Sequence, residues 1–479
     1  MLVLGLVSRH SSKMGDDDSD CCRAIDSGLE SLLSGRLPSR HAGLALLDHA
    51  SSPPRQLSYS WLSSHSEWLA HALHVHVPPC SIVALISPRS AEAVAAWLAI
   101  WRVGAAYLPL DHDAPSSRLQ WALKDAQPAA ILIADFTPAW AELARCPRIS
   151  IDSVSSVSST SPSPATTTHG GVAYLIYTSG STGVPKAVLG TRLGLHARCE
   201  WNLQRFPFER GEVCAARCAH SFVDSLWETL GALAAGAPIL LLPPSVHASA
   251  ARLLRVLHAW RVTRVVVVPA LLEMMLSAVG EGGVEQLTHL RYLHVSGDAL
   301  PSRLAARART ELAPSCRVLN LYGCSECSAD CTFYEVASGG DELCATRLTP
   351  LGQPITGALV RLRALDSDGT TSTVAGDAGE ILVGGSVVAQ GYLGRPELTA
   401  ARFLEAEQGA SSTGGSTTSR WFATGDIGRL DMEDGVLHYL GRLDAQVKIN
   451  GVRVEAAEVE AAFEEHAGIA RAVAVPIVV

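Results

Sequence analysis

VAYLIYTSGSTGVPKAVLG, residues 172–190, is the stretch of this sequence that says most about its fold. A β-rich apolar run, 172–177, leads directly into a loop that is rich in glycine and hydroxyl groups and holds one cation, Lys186. Glycines let backbone N–H groups approach an anion closely, hydroxyls donate to phosphate oxygens, and lysine supplies positive charge. The segment does not fit the Walker pattern. It predicts either another kind of phosphate-binding loop or, more simply, a solvated turn.

Short β-rich runs alternate with amphipathic helices on both sides of this segment. Residues 81–86 (SIVALI) have the pattern of a buried strand, and residues 89–103 that of a helix with one apolar face. The same alternation predicts strands at 129–134, 239–242, 264–268, 292–296 and 317–321, and helices at 226–235, 250–260 and 270–279. Alternation of this kind predicts layered α/β structure with parallel strand pairing.

Changes in composition divide the chain into four predicted parts. They are a ragged terminus (1–20), an α/β region (21–348) with a mobile Ser/Thr-rich loop (153–169), a small β-rich subdomain (349–443), and a hinge followed by a truncated subdomain (444–479). The last part holds a helix-like run at 455–467 and a strand-like run at 469–479. It is too short to form a core of its own, so we expect either that it packs on the main body or that it is truncated.

Composition and charge exclude several classes of function. Lys and Arg total 38 and Asp and Glu total 47, so the net charge is −9, and no basic run interleaves with aromatic residues. This predicts no nucleic-acid partner. No apolar window reaches the ~18 residues of a membrane span, and no secretory signal is present, so we expect a cytoplasmic protein without a membrane partner. The 12 cysteines are scattered, which predicts reduced thiols. We interpret Cys324, Cys327 and Cys331 as small hydrophobic residues rather than metal ligands.

Six segments, in this order along the chain, resemble the motifs of adenylate-forming enzymes, which include the adenylation domains of nonribosomal peptide synthetases and the acyl-CoA ligases. They are 101–111 (WRVGAAYLPLD), 177–190, 320–326 (NLYGCSE), 379–403, 424–426 (TGD) and 441–451 (GRLDAQVKING). The resemblance implies the adenylate-forming enzyme fold: layered α/β N-terminal subdomains, a small β-rich subdomain and, in this chain, an incomplete C-terminal subdomain. This chain departs from the family pattern at Cys324 and Ser325, where Pro-Thr is frequent, and at Asn450, where many members have Arg.

The resemblance also implies the residues that bind ATP and Mg²⁺. Lys186 and Glu326 would be catalytic, and Glu326 would help to hold Mg²⁺. Ser325 would meet the α-phosphate, and Asp444 would lie at the hinge. The implied ATP- or AMP-binding residues are Thr178, Ser179, Gly180, Ser181, Thr182, Gly183 and Lys186 for the phosphates, Tyr322, Gly323 and Ser325 near the adenine, and Asp426 and Arg442 for the ribose.

The implied substrate pocket suggests an amino acid. In amino-acid-activating relatives, an Asp in the segment Phe-Asp-x-Ser-x-Trp-Glu pairs with the substrate α-ammonium; here Val223 occupies that place and Asp224 follows. A second carboxylate, Asp330, suggests an amine further from the substrate carboxylate, and the set resembles that of β-alanine-activating domains. The pocket residues are Val223, Asp224, Trp227, Val266, His294, Ser296, Leu321, Ala329 and Asp330. The alternative is that Asp224 caps a helix that begins at Ser225.

The first hypothesis for function is therefore ATP-dependent adenylation of a small amino acid, with β-alanine favoured. Pyrophosphate would leave, and the acyl group would pass to a phosphopantetheine thiol on a carrier protein or CoA. One alternative is an acyl- or aryl-CoA ligase for an uncharged acid, although Asp224 and Asp330 would then lack partners. The other is a truncated, non-catalytic nucleotide-binding module, because no segment before Val479 matches the catalytic lysine of the family's C-terminal subdomain.

Overall fold

The structure, a computed structural model, describes residues 31–32, 37, 43–134, 146–152, 171–180, 183–247, 249–279, 286–337, 347–364, 378–405, 420–444, 446–464, 466, 469 and 471–475. The predicted ragged terminus (1–20) and Ser/Thr-rich loop (153–169) lie outside these residues. The chain divides into two compact units. We call Arg9–Ile176 with Leu189–Val265 the N-terminal unit, and Tyr177–Val188 with Val266–Val479 the C-terminal unit. The boundaries predicted at 348 and 443 stay predictions.

The strands and helices of the described residues have the following bounds. The strands are β1 Leu44–Asp48, β2 Arg55–Ser58, β3 Ile82–Ile86, β4 Ala106–Leu110, β5 Ala130–Ile133, β6 Arg148–Ser150, β7 Val172–Thr178, β8 Lys186–Thr191, β9 Cys214–Ala216, β10 Ile239–Leu241, β11 Arg264–Val267, β12 Tyr292–Val295, β13 Arg317–Tyr322, β14 Thr332–Glu335, β15 Gln353–Pro354, β16 Ala358–Arg363, β17 Ala378–Gly385, β18 Phe403–Glu405, β19 Arg420–Leu430, β20 Leu437–Arg442, β21 Val447–Ile449 and β22 Val452–Val454. The α-helices are α1 Tyr59–His74, α2 Ala91–Arg102, α3 Ser116–Ala126, α4 Arg192–Arg205, α5 Asp224–Ala235, α6 Pro244–His247, α7 Ala250–Ala259, α8 Pro269–Ala278, α9 Ser302–Arg307, α10 Pro396–Arg402 and α11 Ala456–Glu464.

The N-terminal unit contains a parallel sheet with the strand order β6-β5-β3-β4-β7, and β8 follows β7 at its edge. Its strands are almost entirely apolar because helices cover them, as parallel sheets require. Helix α2 begins where the Ser90 hydroxyl accepts a hydrogen bond from Ala93 N at 3.1 Å. Trp101, near the end of this helix, is fully buried, and its indole N–H donates to the carbonyl of Ala173 in β7 at 2.8 Å.

A second set of strands in the N-terminal unit, β9-β10-β1, is also parallel, with β2 antiparallel to β1. Helix α5 ends at Gly236, whose φ of 73° is a left-handed conformation that glycine adopts without strain. The Arg264 guanidinium is buried in this unit: it pairs with Glu212 and donates to the carbonyls of Phe206 and Pro207, both at 2.7 Å. The alternation of strands and helices predicted from the sequence is confirmed.

The C-terminal unit is richer in antiparallel structure. Strands β12 and β13 are parallel, and β14 and β15 continue from β13 in antiparallel pairing. Strands β16-β17-β19-β18 form a separate antiparallel sheet, with β20 paired to β19. The hairpin β21-β22 precedes helix α11, which confirms the helix predicted at 455–467. The strand predicted at 469–479 is wrong where it is described: residues 471–475 have no regular structure, and the backbone N–H groups of Ala472 and Ala474 donate to the carboxylates of Glu464 and Glu460 in α11.

Within the described ranges, no helix combines the length and the apolar character that crossing a membrane requires.

Replacing Glu212 by alanine should lower the free energy of unfolding by about 3–5 kcal/mol, because it leaves a buried guanidinium without the carboxylate that neutralises it. Urea denaturation followed by circular dichroism measures this. The matched control is Glu311→Ala, which breaks the exposed Arg307–Glu311 pair and should not shift the urea midpoint. An unchanged midpoint for Glu212→Ala would show that the buried pair contributes nothing to the stability of the unit.

Candidate active site

The glycine-rich loop of the C-terminal unit joins the end of β7 to the start of β8. Close packing explains two of its glycines. A Cβ at Gly180 would lie 1.8 Å from the carbonyl oxygen of Val184. Gly183 has a φ of +79°, and a Cβ there would lie 2.9 Å from the Cβ of Ala461 in α11. The backbone of this loop is therefore specified by its glycines, as an anion-binding loop requires.

The hydroxyl groups of Thr178 and Ser179, two further residues of the predicted phosphate loop, make hydrogen bonds to backbone carbonyls. The Thr178 hydroxyl donates to the carbonyl of Lys186 at 3.5 Å. The Ser179 hydroxyl donates to the carbonyl of Arg453 at 3.0 Å. The loop is thus tied to strand β22, which lies far along the chain. Ser181 and Thr182, also predicted to bind phosphate, lie outside the described residues.

Glu326 is the charged centre of the site. It lies in a 3₁₀ turn, Ser325–Cys327, directly after β13, and its side chain is fully buried. Its Oε1 accepts from the Tyr392 hydroxyl at 2.8 Å and from the Arg453 guanidinium at 3.2 Å, and it lies 3.8 Å from Lys186 Nζ. The structure therefore brings Lys186 and Glu326, the two predicted catalytic residues, together.

The surrounding cations decide how Glu326 titrates. Burial alone would raise the pKa of this carboxyl, but the charges of Arg453 and Lys186 and the hydrogen bond from Tyr392 lower the pKa to about 2. Burial lowers the pKa of Lys186 to about 8, against the opposing effect of Glu326. At neutral pH the site consequently holds a carboxylate flanked by two cations, an arrangement that attracts a further anion while keeping an anionic metal ligand.

The residues at this site fit a magnesium ion. Glu326 Oε2 is buried and accepts no hydrogen bond from any residue that the structure describes. A buried, unpaired carboxylate oxygen is unfavourable unless a ligand completes it. Mg²⁺ prefers carboxylate oxygens and is usually held by one or two of them together with substrate phosphates. Glu326 is the residue that would hold it.

A second polar cluster lies around Tyr322, the last residue of β13, and Asp426 of β19. The Tyr322 hydroxyl donates to Asp426 Oδ2 at 2.7 Å, and the Arg442 guanidinium donates to Asp426 Oδ1. Arg442 lies directly opposite Asp426 in the β19–β20 ladder and also pairs with Asp444, the predicted hinge residue, at 2.6 Å. These contacts unite the residues predicted near adenine and ribose. A carboxylate has about four acceptor sites, so Asp426 keeps capacity for a ligand hydroxyl.

The loop that follows Tyr322 is tightly folded. A Cβ at Gly323 would lie 2.1 Å from the carbonyl oxygen of Ala329, so only glycine fits there. Ser328 and Ala329 have φ values of 54° and 85°, which side chains rarely adopt. Such strain is typical of functional loops. Here it allows the chain to turn back at once, so that Asp330, which follows, accepts from the Ser296 hydroxyl at 3.2 Å.

The predicted substrate-pocket residues are divided between the two units. Six of these residues belong to the C-terminal unit, where they lie on strands β11 to β13 or in the loops that follow β12 and β13: Val266, His294, Ser296, Leu321, Ala329 and Asp330. They are buried, as lining residues of a small pocket would be. The N-terminal unit holds Val223, Asp224 and Trp227.

The alternative role for Asp224, as a helix cap, is wrong. Helix α5 begins at Asp224 itself, Val223 occupies the cap position, and no side chain caps the helix. Asp224 Oδ1 instead accepts from the Trp227 indole N–H at 2.9 Å. The Arg198 guanidinium lies 4.0 Å from the centre of the Trp227 ring, so a buried cation packs on the residue that orients the carboxylate.

Two residues of the site were not predicted from the sequence. Tyr392 lies inside the quoted motif 379–403, and Arg453 follows the hinge motif by two residues. For both residues, the sequence offered one signal of a functional role, which was a position within or beside a motif. It could not identify them, because their role depends on contacts with Glu326, which is distant in the sequence.

Comparison with known proteins shows which class of enzyme this fold belongs to. Residues 39–393 match the family model "AMP-binding enzyme". The chain therefore belongs to the AMP-binding family of adenylate-forming enzymes. The predicted α/β fold and enzyme class are confirmed.

The relatives are nonribosomal peptide synthetases. The chain is 38% identical over 427 residues to the probable non-canonical nonribosomal peptide synthetase CymA of Salinispora arenicola. This match covers 87% of this chain and 5% of CymA. It is 34% identical to phosphinothricin tripeptide synthetase PhsB of Streptomyces viridochromogenes, over 87% of this chain and 34% of that protein. It thus spans a small part of each.

Solved structures give the same result. The structure of holo-PA1221, a nonribosomal peptide synthetase protein containing adenylation and PCP domains, matches with a TM-score of 0.76 and 25% identity, over 92% of this chain and 72% of that chain. The AMPPNP-bound form of the nonribosomal peptide synthetase FmoA3 matches with a TM-score of 0.73 and 27% identity, over 88% of this chain and 43% of that chain.

The lowered pKa of Glu326 predicts acid-dependent stability. Because folding lowers this pKa to about 2, Glu326 stabilises the fold above the ordinary pKa of a glutamate, and this contribution, on the order of 3 kcal/mol, is lost as the pH falls towards 2. Urea denaturation at pH 7, 5, 4 and 3 measures it. The free energy of unfolding of Glu326→Gln should fall less steeply over this range than that of the wild type. Equal slopes would contradict the assignment.

Proposed function

We propose that this chain is an adenylation domain that activates a small amino acid, with β-alanine as the favoured substrate. Its product would be the aminoacyl-AMP, and the activated group would pass to a phosphopantetheine thiol. The observation that carries the proposal is the contact of Lys186 with the buried Glu326, which joins the glycine-rich loop to the motif predicted to bind adenine and Mg²⁺. The family membership of the chain supports the same chemistry.

The chemistry needs positioning and charge neutralisation more than proton transfer. The substrate carboxylate is already ionised, and its oxygen attacks the α-phosphorus of ATP in line. A new O–P bond forms as the bond to the pyrophosphate oxygen breaks, and pyrophosphate leaves with the electron pair. Mg²⁺, when bound with ATP, neutralises charge on the phosphates. Lys186 and the backbone N–H groups of the loop with Gly180 and Gly183 would offset the negative charge that develops on the leaving group.

Tyr322 and Asp426 would recognise the nucleoside. Asp426 is held by donors on two sides, from Tyr322 and Arg442, so its remaining acceptor sites have a fixed direction. Ribose hydroxyls are donors that match such a carboxylate. Because the protein orients the carboxylate before any ligand arrives, little rotamer freedom would be lost on binding.

The implied pocket suggests a substrate that carries an ammonium group. Asp224 and Asp330, the two implied pocket carboxylates, are both buried; Asp224 accepts from the Trp227 indole N–H and Asp330 from the Ser296 hydroxyl. A carboxylate that lines a pocket favours a positively charged ligand over an uncharged one. This favours an amino acid over the uncharged acid of an acyl- or aryl-CoA ligase.

The acceptor of the activated group is proposed from the relatives. Holo-PA1221 contains a PCP domain beside its adenylation domain, and NpsA-ThdA is an artificially fused adenylation-PCP di-domain from Klebsiella oxytoca. A carrier protein that bears phosphopantetheine is therefore the proposed partner of this chain, with CoA as the alternative thiol. Either acceptor would present the same nucleophile, a thiolate, to the carbonyl carbon of the adenylate.

ATP–pyrophosphate exchange tests the substrate class. β-Alanine should support exchange, and propionate, which has the same carbon chain without the amine, should not. Asp224→Asn should lower kcat/KM for β-alanine at least about thirtyfold, because a buried charge pair loses one partner. Asp113→Asn, at a side chain that is 73% exposed, is the matched control and should leave exchange unchanged.

The other outcomes discriminate between the alternatives. Equal exchange with propionate and β-alanine would establish a ligase for uncharged acids. Calorimetric binding of ATP without exchange for any acid would instead support a nucleotide-binding module. Exchange with β-alanine that Asp224→Asn leaves unchanged would refute the role of Asp224.

A further inference from the structure

Three cysteines are packed together beside the proposed metal ligand. Cys324, Ser325, Glu326 and Cys327 form a Cys-x-x-Cys sequence, and Cys331 follows. Cys327 N donates to the carbonyl of Cys324 at 2.9 Å, which closes the turn. The Cys327 thiol interacts electrostatically with the thiols of both Cys324 and Cys331. The function proposed above uses none of these three thiols.

The three thiols differ in their access to water. Cys324 is half-buried, whereas Cys327 and Cys331 are fully buried. Burial keeps a dissolved solute away from the Cys327 and Cys331 sulfurs. The Cys331 thiol is directed to the carbonyl of Tyr322, at 3.4 Å. Of the three, Cys324 is therefore the one that a dissolved oxidant reaches first.

The spacing of Cys324 and Cys327 suits a disulfide. Residues three apart in a 3₁₀ turn are separated by about 6 Å along the axis. Disulfides form between residues whose Cα atoms lie about 4.4–6.8 Å apart. Since the hydrogen bond from Cys327 N to the Cys324 carbonyl already closes this turn, a disulfide needs rotation of two side chains and a small adjustment of the turn backbone. The Cys-x-x-Cys arrangement is also the one that thiol–disulfide proteins use for reversible oxidation.

We propose that Cys324 and Cys327 are a redox-active dithiol that a peroxide converts to a disulfide spanning Glu326. The Cys324 thiolate attacks one oxygen of hydrogen peroxide, the O–O bond breaks, and Cys324 becomes a sulfenic acid while one water forms. Cys327 then loses its proton and attacks the Cys324 sulfur. The S–S bond forms, the S–O bond breaks, and a second water leaves. Overall two thiols lose two electrons and two protons, and the peroxide is reduced to two waters. A dithiol such as dithiothreitol reverses the change.

The disulfide would act on the nucleotide site, a consequence that rests on the proposed function. Ser325 and Glu326 lie between the two cysteines, so closing the bridge fixes the backbone on both sides of the proposed metal ligand. Glu326 is held by Tyr392 and Arg453 in one geometry, and a shift of its backbone disturbs both contacts. Oxidation should therefore weaken nucleotide binding, and a bound nucleotide should shield Cys324.

Peptide mapping tests the dithiol without reference to nucleotide. The full chain is reduced, desalted, treated with hydrogen peroxide, blocked with N-ethylmaleimide and cut after glutamate. Cleavage after Glu326 separates Cys324 from Cys327, so a disulfide between them leaves two peptides that stay joined until reduction. A Cys327–Cys331 bridge would instead lie within one peptide, 327–335. We expect the joined pair in the wild type and in Cys331→Ser, and none in Cys324→Ser. A peroxide-treated wild type that gives no joined pair, or only the 327–335 bridge, overturns the proposal.

Nucleotide binding supplies the second readout. A non-hydrolysable ATP analogue at about a hundred times its Kd leaves about 1% of sites free, so it should slow formation of the joined pair about a hundredfold. In the presence of Mg²⁺, the oxidised chain should bind the ATP analogue at least about tenfold more weakly, a loss typical of disturbed metal-ligand support, and dithiothreitol should restore binding. If the joined pair forms at the same rate with and without the analogue, the dithiol stands and the proposed nucleotide site is refuted.

Discussion

The buried carboxylate of Glu326 is the interaction on which the rest of the C-terminal unit depends. Taking a carboxylate out of water is strongly unfavourable, and only close cations and donors offset it. Lys186, Tyr392 and Arg453 provide them, and each comes from a different part of the chain. Satisfying this one charge therefore brings the glycine-rich loop, the turn after β13 and the strand β22 to a common point. These donors all contact Oε1. Glu326 Oε2 accepts no hydrogen bond from the described residues, and we therefore propose that this oxygen holds a metal ion.

Local patterns predicted the elements well, because they depend on neighbours in sequence. The parallel strands and helix α2 follow from apolar periodicity and from a serine at the helix start. Lys186 was predicted as the cation of the glycine-rich loop, and Glu326 was predicted from the resemblance of 320–326 to a motif of the family. Tyr392 and Arg453 were missed because their partner is distant in sequence, and no local pattern reports such a contact. The cap role of Asp224 was wrong because the helix begins at Asp224 itself, and the indole of Trp227, one turn on in the same helix, donates to the carboxylate. The strand expected at the end of the chain was wrong because apolar β-branched residues form a strand only where another strand pairs with them.

Under the proposed function, the two polar clusters would hold different parts of the nucleotide. Around Glu326 the groups are charged and suit phosphates and a metal ion, whereas around Asp426 they suit hydroxyl donors. Tyr322 connects them, because it donates to Asp426 and is followed directly by the tight loop that carries Glu326. Ser328 and Ala329, which follow Glu326 in that loop, have left-handed backbone conformations that turn the chain back. Buried, mutually bonded polar groups of this kind are rigid, so the site exists before the ligand binds.

The role of Glu326 as the metal-holding carboxylate of a nucleotide site is the central claim, and calorimetric titration tests it most directly. AMP and ATP would be titrated into the wild type and Glu326→Gln, each with and without Mg²⁺. The account predicts that both proteins bind AMP with similar Kd, which shows that the variant is folded. It also predicts that Mg²⁺ strengthens ATP binding in the wild type at least about tenfold more than in the variant. An equal gain from Mg²⁺ in both proteins would contradict it.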